Sequence, residues 1–434
     1  MTPFEIGLIG IAILIVMLFS GIHIGVVMAA IGFLGISYLN GWSSGLMVLK
    51  TVPFTTFADY GMSVVPLFIL MGSICFYAGV SQDLYNTVHK WIGHVRGGLS
   101  IATVGACAAF AAISGSSLAT AATMGTVALP EMKRYKYKDE LAAGCVAAGG
   151  SIGILIPPSV PFILYGIMAN QSIGKLFMAG IIPGILQAVF YISTIFLLCR
   201  RRPEIGPQGP AYTLKEKISS LQSSWIVILL FVLVVGGIYL GIFSPTEAAG
   251  IGACGAFAFG VLRRKLTWEA FGKSLSSTTK NTAMIFVIFL GAMILGYFLA
   301  VTRLPFELAE FIGDLPVNRY VILLIILVIY ILLGAVMDSL AMILLTVPIF
   351  YPLVTKLGFD PIWFGVIIVR VAEIGLITPP VGLNVFVIKG LTGDDVPMFT
   401  IFRGIIPFII ADILHMALLV MIPQLSLFLP NLMK

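Results

Sequence analysis

Two short stretches of this sequence could present backbone and hydroxyl oxygens to an ion. Residues 150–162 read GSIGILIPPSVPF, and residues 372–384 read AEIGLITPPVGLN. Each sets a double proline, Pro157-Pro158 or Pro379-Pro380, inside an otherwise apolar run. A proline in a helix interior deletes a backbone hydrogen bond and clashes with the preceding turn, at a cost of about 3 kcal/mol or more. Such a break frees carbonyl oxygens, and a hard cation such as sodium takes oxygen ligands. Carbonyls near Gly153, Ile156 and Pro158 could supply them, with hydroxyls from Ser114, Ser116 or Ser117 in the upstream run SGSS. The related set is Met337, Asp338, Ser339, Gly375, Thr378 and Pro380. Either site forms only if the polar run reaches the break. The alternative is that Pro and Gly kink packed helices and that each serine bonds back to its own helix.

A substrate needs further groups. The half-helices that begin after the breaks carry positive dipole ends suited to a carboxylate. Asn384 adds an amide, which either bonds substrate or packs between helices. Arg370 and Glu373 lie three residues apart and are expected to neutralise one another; the alternative sets Arg370 against an anionic substrate or Asp338. The candidate substrate contacts are therefore Ser117, Pro157, Asp338, Arg370 and Asn384. Glu247, in SPTEAAG, reads as a helix cap.

Other chemistries find little support. The four histidines are scattered, the five cysteines form no CxxC pair and read as packing residues, and no HExxH occurs,. A metal centre and an intramembrane enzyme are both disfavoured.

The elements that position these residues are membrane helices. The chain has 434 residues, 59% hydrophobic and 10% charged, with a mean hydropathy of +1.08. Apolar stretches of about 20 residues recur along it, the length that spans a bilayer core. The net charge of +6 comes from basic residues beside apolar segments, so no nucleic-acid partner is implied,. No removable signal peptide is expected at MTPFEIGLIG,. The segments 98–131 and 320–354 are too long for one crossing and are interrupted by SGSS and by Met337-Asp338-Ser339. Reading these two as re-entrant hairpins and ten other segments as crossings gathers most of the 25 Lys and Arg on one face. That face is expected to be cytoplasmic, with both termini outside. Residues 204–222 and 264–280 read either as short amphipathic helices on the membrane surface or as plain surface linkers.

An internal repeat supports this arrangement. At a constant offset of 222 residues, Ser117-Leu118-Ala119 matches Ser339-Leu340-Ala341, and Pro130, Ile152-Gly153 and Pro157-Pro158 match Pro352, Ile374-Gly375 and Pro379-Pro380. Five crossings per half make the second half inverted, a pattern of secondary transporters. The fold class is an all-α polytopic membrane protein of two inverted repeats. Four regions follow: scaffold helices 1–97, a transport region 98–199, a cytoplasmic arm with scaffold helices 200–319, and a second transport region 320–434.

The runs SGSSLATAATMGTVALP (114–130), GILIPPS (153–159), LFMAGIIPG (176–184), GIYLGIFSPTEAA (237–249) and TPPVGLN (378–384) closely resemble the large membrane subunit of TRAP transporters. The resemblance covers nearly the whole chain. It implies a sodium-driven importer of organic acids, such as sialic acid or a C4-dicarboxylate, in the bacterial inner membrane, working as an elevator. Its partners would be a small four-helix membrane subunit and a periplasmic substrate-binding protein, and it would need no organic cofactor. By resemblance, one sodium site uses Ser114, Ser116, Gly153, Ile156 and Pro158, and the other uses Met337, Ser339, Gly375, Thr378 and Pro380. Arg370 has no assignment in that pattern. The rival expectation is a stand-alone sodium- or proton-coupled carboxylate symporter of similar fold.

Overall fold

The computed structural model describes residues 1–433 and contains no strand among them; Lys434, which closes the fourth predicted region, lies outside. α1 (Pro3–Leu18) opens on a capping box: the Thr2 hydroxyl accepts from the Glu5 N–H at 3.2 Å, and Glu5 reaches back to the Thr2 N–H at 3.0 Å,. α2 (Ile24–Asn40) and α3 (Trp42–Phe57) follow. The sequence predicts apolar segments over 22–40 and 62–80 and none between them, where α3 lies, because Lys50 and several Ser and Thr dilute its hydropathy. α4 (Val64–Tyr77) and the amphipathic α5 (Val80–Ile92) complete this part.

The segment 98–131 is two helices, α6 (Gly98–Ser114) and α7 (Ser117–Arg134), packed together as a hairpin. Gly115 turns the chain in the left-handed region (φ +58), where a residue without Cβ is unstrained,. Ser116 then caps α7. α8 (Asp139–Gly150) runs into a 3-10 turn, Ser151–Ile154, and regular helix resumes only at α9 (Val160–Met168). Pro157 and Pro158 lie in the gap and have no N–H to continue the ladder. α10 (Ile173–Arg201) follows.

α11 (Leu214–Phe231) continues through a π turn, Val232–Gly236, into the one-turn α12 (Gly237–Tyr239). α13 (Pro245–Leu262) begins on a second capping box, with Ser244 and Glu247 as its members, so Glu247 is a cap. α14 (Trp268–Thr302) has 35 residues, about 50 Å of helix at 1.5 Å per residue, well beyond a bilayer core of about 30 Å. The expected surface helices at 204–222 and 264–280 are thus not separate elements. Helix begins at Leu214 and at Trp268 and runs directly into long apolar helices, since neither α11 nor α14 contains a Pro and Gly272 is accommodated within α14.

After α15 (Leu304–Gly313), the segment 320–354 divides into α16 (Arg319–Gly334) and α17 (Ser339–Lys356), with Asp338 capping the latter. α18 (Pro361–Ile377) breaks at Thr378, which is extended, as a residue before proline prefers,. α19 (Leu383–Thr392), α20 (Met398–Met421) and α21 (Gln424–Leu432) close the chain.

Among the described residues, seven helices are long and apolar enough to cross a membrane. Outward faces are apolar too: Leu324, Ile325, Val328 and Leu332 of α16 are all exposed. Such a surface suits lipid, whereas in water it would be an aggregation liability. In contrast, α18 is buried from Ile362 to Ile377 and α8 from Leu141 to Gly150. α8 lies against α7 and α20, and α18 against α16, α17 and α20. α2 and α4 pack on α14, which also meets α17.

Candidate functional site

The first polar run does reach the first break. A Cβ placed on Gly115 would lie 3.0 Å from the Pro158 carbonyl oxygen. One placed on Gly153 would meet the Thr120 Oγ1 at 3.2 Å and the Ser116 carbonyl oxygen at 3.3 Å. Hydroxyls cluster there. Thr120 Oγ1 donates to the Ser116 carbonyl at 2.8 Å and pairs with the Ser114 hydroxyl at 2.9 Å. Thr120 was not among the candidates, although it lies one helical turn after Ser116 and so on the same face. Ile156 and Pro158 sit in the buried gap, with Ile156 against Gly184 of α10.

The second break is approached differently. A Cβ on Gly375 would lie 2.6 Å from the Gly334 Cα, so the end of α16 rests on α18 just before Thr378. Met337 is buried, and Asp338 accepts from the Leu340 N–H at 3.0 Å. Thr378 Oγ1 donates back to the Ile374 carbonyl at 2.6 Å, the local bonding weighed as the alternative. Pro379 and Pro380 are exposed, whereas Pro157 and Pro158 are buried.

Both tips open on one cavity of about 360 Å³ between α4, α14 and the two hairpins. Ser114, Ser116, Ser117, Asp338 and Ser339 line it, joined from α4 by Ser73 and from α14 by Ser277 and Asn281. Sequence reasoning missed these last three, since nothing local marks a polar residue on one helix as facing a tip distant in sequence. Asp338 is the one charged residue in the lining, which holds no Lys, Arg or His. The helix N-termini that reach the cavity are those of α7, at Ser117 to Ala119, and α17, at Ser339 and Leu340, with Val160 of α9 beside them. The first four N–H groups of a helix have no partner within it, which makes such ends anion-binding. Of the half-helices expected to supply dipole ends, α9 contributes a residue to this lining and α19 does not.

The other substrate candidates lie elsewhere. Asn384 is buried and donates to the Ala147 carbonyl of α8 at 3.2 Å, as an interhelical amide. Pro157 does not line the cavity. Arg370 does not pair with Glu373. It bonds Asp412 and donates from Nε to His415 Nδ1 at 3.1 Å, and is wholly buried. Glu373 instead accepts from the Ser117 hydroxyl at 2.7 Å, tying the first tip to α18. The two side chains diverge because α18 is enclosed, and each meets a different neighbouring helix. Among the described residues no cluster of three His, Cys, Asp or Glu could hold a metal ion.

Relatives give this architecture a family. The profile described as "Tripartite ATP-independent periplasmic transporter, DctM component" matches residues 11–425. The C4-dicarboxylate TRAP transporter large permease protein DctM of Pseudomonas aeruginosa is 37% identical over 379 residues, covering 87% of this chain and 88% of that protein. The sialic acid TRAP transporter large permease protein SiaM of Vibrio cholerae is 33% identical over 419 residues, covering 96% of each. Among solved structures, Neisseria gonorrhoeae MtrF, described as illuminating a class of antimetabolite efflux pumps, superposes with a TM-score of 0.60. It covers 91% of this chain and 85% of its own at 16% identity, which speaks to fold alone. With a profile match over nearly its whole length and relatives above 30% identity, the chain belongs to the DctM family of TRAP transporter large permeases, and is a transporter rather than an enzyme.

Proposed function

We propose that this permease carries an organic acid into a bacterial cell across the inner membrane, driven by sodium. The observation that carries the reading is the convergence of two hydroxyl- or carboxylate-bearing tips and two helix N-termini on one cavity without a basic side chain. A carboxylate substrate there has helix ends and bound cations to balance its charge. Sodium would sit at the first site among Ser114, Ser116, Gly153, Ile156 and Pro158, joined by Thr120. At the second it would sit among Met337, Ser339, Gly375, Thr378 and Pro380.

In this reading the substrate is a C4-dicarboxylate, sialic acid or another sugar acid, as the relatives' names suggest. A periplasmic binding protein delivers it, and a small membrane subunit completes the complex. The two halves act as inverted repeats of five crossings and one re-entrant hairpin each, with both termini periplasmic. The hairpins and broken helices then slide as one body against α2, α4 and α14. The test is uptake in proteoliposomes holding both membrane subunits, with and without a sodium gradient and the cognate binding protein. Uptake should require both. Full sodium-driven uptake without the binding protein would favour the stand-alone symporter instead, and uptake indifferent to sodium would refute the coupling.

A further inference from the structure

The Arg370 cluster lies outside the cavity, yet it joins elements that the ion sites depend on. Arg370 reaches Asp412 and His415 on α20. α20 packs on α10, where the Tyr191 ring meets Phe408, one turn before Asp412, edge-on with ring centroids 5.2 Å apart. Tyr191 pairs with the Ser151 hydroxyl at 3.0 Å, and Gln187 Nε2 donates to Ser151 Oγ at 3.2 Å and to the Tyr191 oxygen at 3.3 Å. Ser151 opens the 3-10 turn that leads into the first break, and α18 packs directly on that turn. All six side chains are buried, at 0% exposure.

Stability does not explain such a cluster. A charge inside a membrane protein is costly, and a buried ion pair can often be replaced by apolar residues without loss. This one also leaves Arg370 Nη1, Asp412 Oδ2, His415 Nε2 and Gln187 Oε1 without hydrogen-bond partners among the described residues, each carrying a desolvation cost. What the cluster supplies is direction: hydrogen bonds fix angles that apolar contacts leave free. From the same helix, three residues on, Glu373 holds Ser117 of the first tip. α18 therefore grips both walls of the first site, the tip through Glu373 and the break through Arg370. At the 222-residue offset, Glu373 and Arg370 align with Ser151 and Ala148, and Ser151 donates to the Ala148 carbonyl at 2.7 Å.

We propose that Arg370, Asp412, His415, Tyr191, Gln187 and Ser151 form a buried polar strut by which α18, the helix of the second break, positions the first. The two sodium sites are then mechanically linked, and occupancy of one favours the geometry of the other. This rests on the breaks being sodium sites. These are positioning residues and touch no substrate.

The experiment is the sodium dependence of uptake in proteoliposomes for the wild type, Tyr191→Phe, and the triple variant Arg370→Met/Asp412→Leu/His415→Phe. Folding is followed separately by thermal unfolding in detergent. Tyr191→Phe removes one hydroxyl and keeps the ring, so it safeguards the test should the triple variant misfold. The expected result is a rise in half-saturating sodium of roughly two- to tenfold, the worth of one net hydrogen bond. The Hill slope should fall towards one, while the maximal rate at saturating sodium changes less than about twofold. A folded Tyr191→Phe with wild-type half-saturation and slope overturns the strut. A wild type whose uptake ignores sodium overturns the strut and the underlying site reading together, so the two failures are distinguishable.

Discussion

Gly375→Ala tests the contact that closes the proposed second sodium site. The added Cβ would lie 2.6 Å from the Gly334 Cα and 2.8 Å from the Gly334 carbonyl carbon. Carbon atoms pack at about 3.5–4.0 Å, so α16 must retreat by about 1 Å. Both obstacles are backbone atoms, and no rotamer change can relieve them. Overpacking of this kind costs about 1–3 kcal/mol. The substitution keeps the Gly375 carbonyl, so the ligand chemistry is unchanged and only the distance between hairpin and break is altered. If the strain falls on the sodium-bound state, half-saturating sodium rises about 5- to 150-fold. The assay is uptake in proteoliposomes across a sodium titration, with Gly250→Ala as the control. A Cβ on Gly250 has nothing within 4 Å, so that variant should match the wild type. A folded Gly375→Ala protein with wild-type sodium dependence would refute the reasoning, because the contact would then not set the site.

Four further outcomes are expected. Thr120→Val removes the hydroxyl shared between Ser114 and the Ser116 carbonyl, and should raise half-saturating sodium by about two- to tenfold; Thr120→Ser should restore it. Asp338→Asn removes the one charge from the cavity lining and should weaken the dependence of substrate binding on sodium, read by calorimetry at low and high sodium. Ser244→Ala breaks the α13 capping box and should cost about 1 kcal/mol of stability, seen as a lower unfolding temperature with unchanged sodium dependence of uptake. Asp83 joins α5 to Arg263 and Lys265, each at 2.8 Å. Because that carboxylate is largely buried, Asp83→Ala should destabilise by about 1–2 kcal/mol, again by thermal unfolding.

Much of the architecture was legible because the strongest signals are punctuation. Gly115, the paired prolines and the polar runs at 114–117 and 337–339 mark interruptions that apolar helix does not tolerate without cause. The structure breaks its helices at those places. α3 was missed for the converse reason: its sequence WSSGLMVLKTVPFTTF is too polar to stand out by hydropathy, and packing against α2 and α14 supports it. α11 and α14 each join an amphipathic start to an apolar stretch in one continuous helix, although the change of pattern reads as a boundary. A change of face along a helix does not end it; a breaker does.

Within the site, legibility followed sequence distance. Ser114, Ser116 and Thr120 share one hairpin, so their grouping could be read, or in the case of Thr120 could have been, from helical spacing. Asn281 and Ser277 meet that hairpin only through the tertiary fold, and their types alone carry no such information. Arg370 shows where local rules fail. The pairing of charges three residues apart describes a helix whose side faces water, where the nearest neighbour is its own next turn. α18 has no such side. Around it every direction leads to another helix, and each polar side chain bonds the group that its own direction meets. For Glu373 that group is 256 residues away at Ser117, and for Arg370 it is 42 residues away at Asp412. Enclosure on all sides turns two adjacent charges into two separate long-range ties, and makes α18 the element that holds the first tip and the first break together.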